Sequence, residues 1–162
     1  MTAPHRRRLN FQSFDQARAE VDRLQAQPYE RCGNWDLYQM CDHLSDAMER
    51  CVSPAGFGFG MPWPVQALAR TTVLPVVFWT GRIPAGTKVP EHRIPAPTGD
   101  GQRSVARFEQ SSRQFESHAG PFALHPFFGR LTGEKWRRVH LIHIAHHLGF
   151  LIPAGDAAAT KS

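Results

Sequence analysis

The sequence predicts an all-α fold, a bundle of four main helices with an additional short or broken helix. Apolar residues recur at spacings of three and four along several long segments, as on one face of an α-helix. Residues typical of helix ends flank these segments, and no alternating run followed by a tight turn indicates a β-hairpin. The chain of 162 residues fits a single domain that can bury a core without disulfides.

The first two helices follow from their end signals. Ser13 is followed three residues later by Gln16, which is the pattern of a capping box, and the apolar repeat then continues to Pro28. Asn34 is the expected N-cap of a second helix over residues 35–52.

The next segment, 64–79, is strongly apolar. Its Pro75 predicts a kink or two shorter helical pieces. The apolar content fits either a buried helix or an interface. Residues 81–101 hold four prolines and four glycines, so a long Pro/Gly-rich surface loop is expected there.

Two more helices complete the bundle. One is expected over residues 102–118, where Gly120 and Pro121 stop it. Thr132 is the expected cap of the last helix, which runs to about Leu151 before Pro153.

The amino-acid composition limits the cellular location and the binding partners that we expect. The net charge is +5, and much of the excess lies in Arg6, Arg7 and Arg8. We expect a disordered basic arm at residues 1–10, one domain at 11–153 and a disordered tail at 154–162. Three cysteines without a C-x-x-C motif, and no apolar run of membrane-spanning length, favour a cytoplasmic protein without membrane contact. No nucleic-acid-binding motif accompanies the charge, so we expect no specific nucleic acid.

Histidine is the unusual residue. Four of the nine histidines lie on the last predicted helix, at His140, His143, His146 and His147. At 100° per residue, His143 and His147 lie about 40° apart and one turn apart, so both rings can face one ion. His140 falls on the same stripe, whereas His146 points about 100° to the side of His147.

A third ligand is expected from another helix. His43 lies on the second, clearly amphipathic helix, so the predicted site is His43, His143 and His147. Three imidazoles suit a divalent Zn, Ni or Fe ion and leave one position open for water or substrate, as in catalytic sites. We expect such an ion to activate a nucleophile as a Lewis acid.

Neighbouring residues have two interpretations each. His140 is the candidate catalytic residue, a general base beside the ion, or else it packs beneath Trp136. Gln39 and Asp46 either orient the ligand rings or serve as capping and solvated residues. His125 is expected to be solvated, although its rigid aromatic neighbours could aim it at a pocket.

These residues carry a resemblance. Trp35, Gln39, His43 and Leu44 on the second helix, paired with His143 and His147, resemble the DinB/YfiT-like superfamily of four-helix-bundle metalloproteins. The segments 125–129, 131–136 and 146–151 resemble a branch of unknown function, and the likeness runs from about Leu9 to Pro153. It implies an up-down-down-up bundle, a divalent metal on His43, His143 and His147, and a homodimer. It also implies a small-molecule substrate, with a low-molecular-weight thiol as a candidate.

Two classes of function follow. The first is a metal-dependent enzyme, a thiol-dependent transferase or a hydrolase-like protein. The alternative is a non-catalytic metal- or ligand-binding module that uses the loop at 81–101 for a partner.

Overall fold

A computed structural model describes residues 6–83, 95–97 and 100–159 of the chain. The helices and strands, in chain order, are α1 (Phe14–Ala26), β1 (Tyr29–Arg31), α2 (Leu37–Val52), α3 (Trp63–Thr80), α4 (Gly101–Ser117), α5 (Gly133–Leu148), β2 (Leu151–Pro153) and α6 (Ala154–Ala159). The all-α helical bundle predicted from the sequence is confirmed.

Four helices enclose the core. α2 packs against α4 and α5, and α1 packs against the same two helices as well as against α2. Burying one apolar face of each helix supplies the main favourable free energy of folding. The largest fully buried side chains include Trp136, Phe14, Phe108, Leu24, Leu37, Met40, Leu44, Met48, Ile144, Leu148 and Leu151.

The N-caps of α1 and α5 are Ser13 and Thr132, as expected, but the Gln16 side chain accepts from the Gln12 amide rather than from the Ser13 amide, so the full capping box does not form. The Ser13 hydroxyl accepts a hydrogen bond from the Gln16 amide, and the Thr132 hydroxyl accepts one from the Lys135 amide. The predicted N-cap Asn34 of α2 is wrong, because Asp36 caps that helix. The Asp36 carboxylate accepts from the Gln39 amide, and the Gln39 side chain accepts from the Asp36 amide. This reciprocal pair satisfies two free donors, so it fixes the helix start.

α3 is one helix that continues through Pro75, so the prediction of two pieces is wrong. It ends at Gly81, which takes a left-handed φ of 63° that favours glycine. Only Leu74 and Val77 of this helix are buried. The tryptophans near its two ends, Trp63 and Trp79, are 79% and 87% exposed. The buried-helix alternative is therefore wrong for most of α3, and an apolar face stays on the surface.

A short sheet joins the two ends of the domain, which the sequence did not predict. β1 pairs antiparallel with β2, with Tyr29 opposite Pro153 and Arg31 opposite Leu151. All three residues of β2 are buried. The pairing places the start of α2 beside the end of α5, the two helices that carry the candidate ligands.

The basic arm, where the structure describes it from Arg6 onward, lies against the domain rather than being disordered. The Arg7 guanidinium pairs with Glu20 at 2.6 Å and with Asp156 at 3.3 Å. It also donates to the Leu151 carbonyl, while the Arg7 amide donates to the Gly149 carbonyl. A Cβ on Gly149 would lie 2.8 Å from the Arg7 carbonyl oxygen, so glycine permits this close approach.

The start of the expected disordered tail is also structured. Residues 154–159 form α6, and its Asp156 pairs with Arg7 and Arg23. Each of these charges has a partner from another segment, which the local sequence does not reveal.

Candidate metal centre

Three histidines from two helices meet at one point. His43 on α2 and His143 and His147 on α5 each offer one ring nitrogen, and these three atoms all lie within 4.8 Å of one another. The Nε2 atom of His143 lies 3.2 Å from that of His43 and 3.1 Å from that of His147. The three predicted ligands are therefore brought together.

The distances fit a shared cation. Two nitrogens bound to one tetrahedral ion at 2.0–2.1 Å stand about 3.3 Å apart. Without an ion, the facing nitrogens of His43 and His147 would compete for the single proton or lone pair of His143 Nε2. A cation accepts all three lone pairs at once, so the donor set fits a metal ion.

The side chain of Trp35 packs against two of these imidazole rings. Trp35 stacks on His147 with ring centroids 5.4 Å apart and planes 6° apart, and it contacts His43 at 5.0 Å. From the sequence, Trp35 was part of the motif shared with the resembled superfamily, and no role was assigned to it. In the structure its contacts restrict the rotation of the His43 and His147 rings.

The surroundings keep two of the ligands neutral. Burial lowers the pKa of His143 well below its ordinary value, and the neighbouring His147 and His43 lower it further. Burial likewise lowers the pKa of His147, with contributions from His43, His146 and the Arg6 charge. Neutral imidazole is the form that binds a metal, so these two nitrogens are available at neutral pH.

His140 lies in an aromatic cluster. Its ring stacks on Trp136 at 5.2 Å with planes 19° apart, and its edge meets Phe115 at 4.8 Å. It is 3% exposed, and burial lowers its pKa to about 3. Of its two interpretations, packing against Trp136 is the one that these contacts match, and its role as a general base stays a prediction.

His125 belongs to the same cluster, so the expectation of a solvated ring is wrong. It contacts Trp136 at 4.9 Å and stacks on Phe128 at 4.6 Å. Its Nδ1 accepts hydrogen bonds from the amides of Phe127 and Phe128. Burial lowers its pKa to about 3. His125 therefore organises the loop before α5 as a neutral ring.

His146 lies next to the centre without belonging to the three-histidine group. Its ring meets His147 edge-on at 5.1 Å and Phe150 at 5.6 Å. Burial lowers its pKa to about 4, and the Arg6 charge contributes. The Arg6 guanidinium itself lies 4.6 Å above the Phe150 ring. The basic arm thus reaches the edge of the candidate centre, which the sequence did not predict.

The two residues considered as ring-orienting groups have other partners. Gln39 caps α2 and donates its side-chain amide to the Pro95 carbonyl at 2.8 Å. Asp46 pairs with Arg50 one turn along α2. The capping and solvated interpretations of these residues are the ones confirmed.

The other described histidine, His118, and the three cysteines stay outside the site. His118 caps α4 and lies near the Pro121 carbonyl, while His5 and His92 lie outside the described residues. Cys41 and Cys51 are buried, and burial raises the pKa of both thiols. The Cys32 thiol donates to the Phe150 carbonyl, and burial raises its pKa too.

Fold and site together define a helical-bundle protein with a half-buried group of three histidines suited to a divalent cation. The chain belongs to the family described as "Protein of unknown function (DUF1569)", whose model matches residues 3–154. Neither the curated proteins nor the solved structures contain a significant match to the chain. None of the helices in the described part of the chain combines the length and hydropathy that a bilayer span requires.

Acid is expected to destabilise the fold through the aromatic cluster. The pKa of His140 is about 3 in the folded chain and about 6.5 when unfolded, so the unfolded state takes up the proton first as pH falls. The contribution of neutral His140 to the free energy of unfolding is therefore complete above about pH 6.5 and is lost as the pH falls towards 3. Between pH 7 and pH 5, one such histidine lowers the free energy of unfolding by about 2 kcal/mol.

Urea unfolding of the chelator-treated protein at both pH values measures this loss. His140→Phe keeps a ring in the stack and should reduce the loss by about 2 kcal/mol, the contribution of one histidine. His118→Phe, a matched change at the end of α4, should leave it unchanged. Equal losses in the wild-type and His140→Phe proteins would contradict the expectation.

Proposed function

We propose that this protein binds a divalent metal ion, Zn, Ni or Fe, on His43, His143 and His147, and that it is a metal-dependent enzyme. The single observation that carries the proposal is the convergence of three Nε2 atoms, with separations of 3.2 Å and 3.1 Å about His143. Two of these half-buried rings have lowered pKa values and are neutral at neutral pH, and Trp35 stacks against the group.

The open coordination position supports the enzymatic part of the proposal. When bound, a cation with three protein nitrogens supplies Lewis acidity and has a place for water or a substrate atom. The residues of this chain supply the rest: Trp35 packs against His43 and His147 and restricts the rotation of both rings. A transferase that uses a low-molecular-weight thiol, or a hydrolase-like reaction, fits this arrangement.

The finer assignments rest on the resemblance. The two histidine segments, in their order and spacing, support a place within the DinB/YfiT-like superfamily and a cytoplasmic enzyme. The up-down-down-up course of the chain and the homodimer belong to the same proposal. Sedimentation analysis distinguishes a monomer from a dimer directly, and the exposed apolar face of α3 is available for such contact.

Metal removal tests the central claim. Protein purified without chelators should contain about one divalent ion per chain, and chelation should lower the thermal midpoint because a ligand bound only to the folded state stabilises it. At a free zinc concentration about 1,000 times the dissociation constant, the gain is about 4 kcal/mol. Elemental analysis and thermal unfolding with and without added zinc measure both effects.

The outcomes separate the two functions considered. A metal content near zero, with no thermal shift on adding zinc, nickel or iron, would overturn the proposal. Stoichiometric metal without conversion of any substrate across a panel of thiol-dependent and hydrolytic reactions would favour the non-catalytic binding module.

A further inference from the structure

A basic groove lies beside the candidate metal centre. The arm forms one wall, the end of α3 and the residues after it form the other, and α5 forms the floor. Among the described residues, its charged lining consists of one acid, Glu134, and the arginines Arg6, Arg7, Arg8, Arg82, Arg137 and Arg138.

Three of these six arginines already have partners within the protein. Arg7 pairs with Glu20 and Asp156, and Arg137 pairs with Glu116. Arg138 donates to the Phe78 carbonyl and lies over the Phe78 ring.

The other three arginines have no carboxylate partner among the described residues. Arg6 lies over the Phe150 ring, and the side chains of Arg8 and Arg82 are exposed. Arg6 and Arg82 line the same groove from its two walls, and the pKa of Arg6 is lowered by burial and also by the Arg82 charge. Folding therefore places like charges on the two walls of the groove, and an anion between them would relieve this repulsion.

The groove also has an apolar lining. Phe78, Leu141, Ile142 and Ala145 contribute apolar surface, and Trp79 stands beside them with 87% of its surface exposed. An exposed tryptophan next to free guanidinium groups suits a ligand with a flat apolar body and a negatively charged end.

One end of the groove reaches the candidate centre. His146 lines the groove and meets the ring of His147 at 5.1 Å. A ligand held at the arginines can therefore extend towards the three histidines without crossing the core.

We propose that this groove binds a small organic anion, in which a carboxylate or phosphate group is joined to a flat apolar body. Arg6 and Arg82 hold the charged group, and Trp79 packs against the body. The anion site depends only on the groove. The second part of the proposal, that this anion is the substrate of the metal centre, rests on the function proposed above.

Calorimetric titration tests the anion site on the full chain after chelator treatment. The probes are benzoate and phenyl phosphate, with neutral benzamide as the comparison. We expect saturable binding of at least one anion, about tenfold weaker binding of benzamide, and weakening at high salt because the contact is charged and exposed. Benzoate alone would indicate a carboxylate ligand, and phenyl phosphate alone a phosphorylated one.

Matched variants locate the site. Arg6→Gln and Arg82→Gln should each weaken anion binding about fivefold or more, a typical loss for one charge-assisted contact. Arg103→Gln removes the same charge from an exposed position of α4 outside the groove and should leave binding unchanged. Absence of saturable anion binding, equal binding of benzamide, or equal weakening in Arg103→Gln would overturn the proposal.

Zinc loading separates this proposal from the function proposed above. Anion binding by a chain that binds no zinc would leave the groove as an anion site and refute the metal centre. Zinc binding without anion binding would refute the groove alone.

Discussion

Replacing His143 by alanine is expected to weaken zinc binding at least about a thousandfold, equivalent to about 4 kcal/mol. The Nε2 atom of His143 lies 3.2 Å from that of His43 and 3.1 Å from that of His147. Loss of the His143 ring therefore leaves the other two ligands without the central donor. Two imidazoles alone do not form a tight site. Competition titration against a zinc-binding dye, together with elemental analysis, measures the change.

Two matched variants sharpen this test. His43→Ala removes the single ligand from α2 and should weaken binding by a similar factor, because the site needs both helices. His118→Ala removes a histidine at the end of α4 and should leave the affinity within a factor of about two. If zinc bound equally well to His143→Ala and to the wild type, the three-histidine centre would be wrong.

Replacing Trp136 by alanine is expected to cost about 3–5 kcal/mol of stability, the usual range for a large aromatic core residue. Trp136 is 1% exposed and forms the middle of the aromatic cluster. Its ring stacks on Phe57 with planes 4° apart and also contacts His125 and His140. Truncation therefore leaves a cavity beneath the start of α5. Urea unfolding at neutral pH measures the loss.

The control for this change is another tryptophan. Trp63→Ala removes the same side chain from a position that is 79% exposed, and it should change stability by less than about 0.5 kcal/mol. Similar losses in both variants would show that the cluster around Trp136 contributes no more than a surface contact.

Much of the candidate site could be predicted from spacing along the chain. His143 and His147 share a face because they stand four residues apart on a helix, and this relation is local. His43 was assigned because it lies on an amphipathic helix whose apolar side must face the core. His43 and His143 are 100 positions apart in sequence, and the structure brings their Nε2 atoms to a separation of 3.2 Å.

Some assignments could not be decided from the local sequence, and others failed because the partners are distant in sequence. Nothing local distinguishes Gln39 as a cap for Asp36 from Gln39 as a partner for His43, since both lie within one turn. The half-buried position of His125 depends on Trp136 and Phe57, which come from two other segments. The order of the arm depends on Glu20 and Asp156, which are 13 and 149 positions from Arg7.

The sequence by itself determined the number and approximate bounds of the main helices, the caps of α1 and α5, and the stripe of imidazoles on α5. These features follow from periodicity and from hydrogen bonds between residues three or four apart, which act before any tertiary contact. Only the tertiary structure decided the exposure of α3, the docking of the arm beside His146, and the pairing of β1 with β2. Each of these depends on contacts between distant segments, whose free energy exists only once the helices have packed.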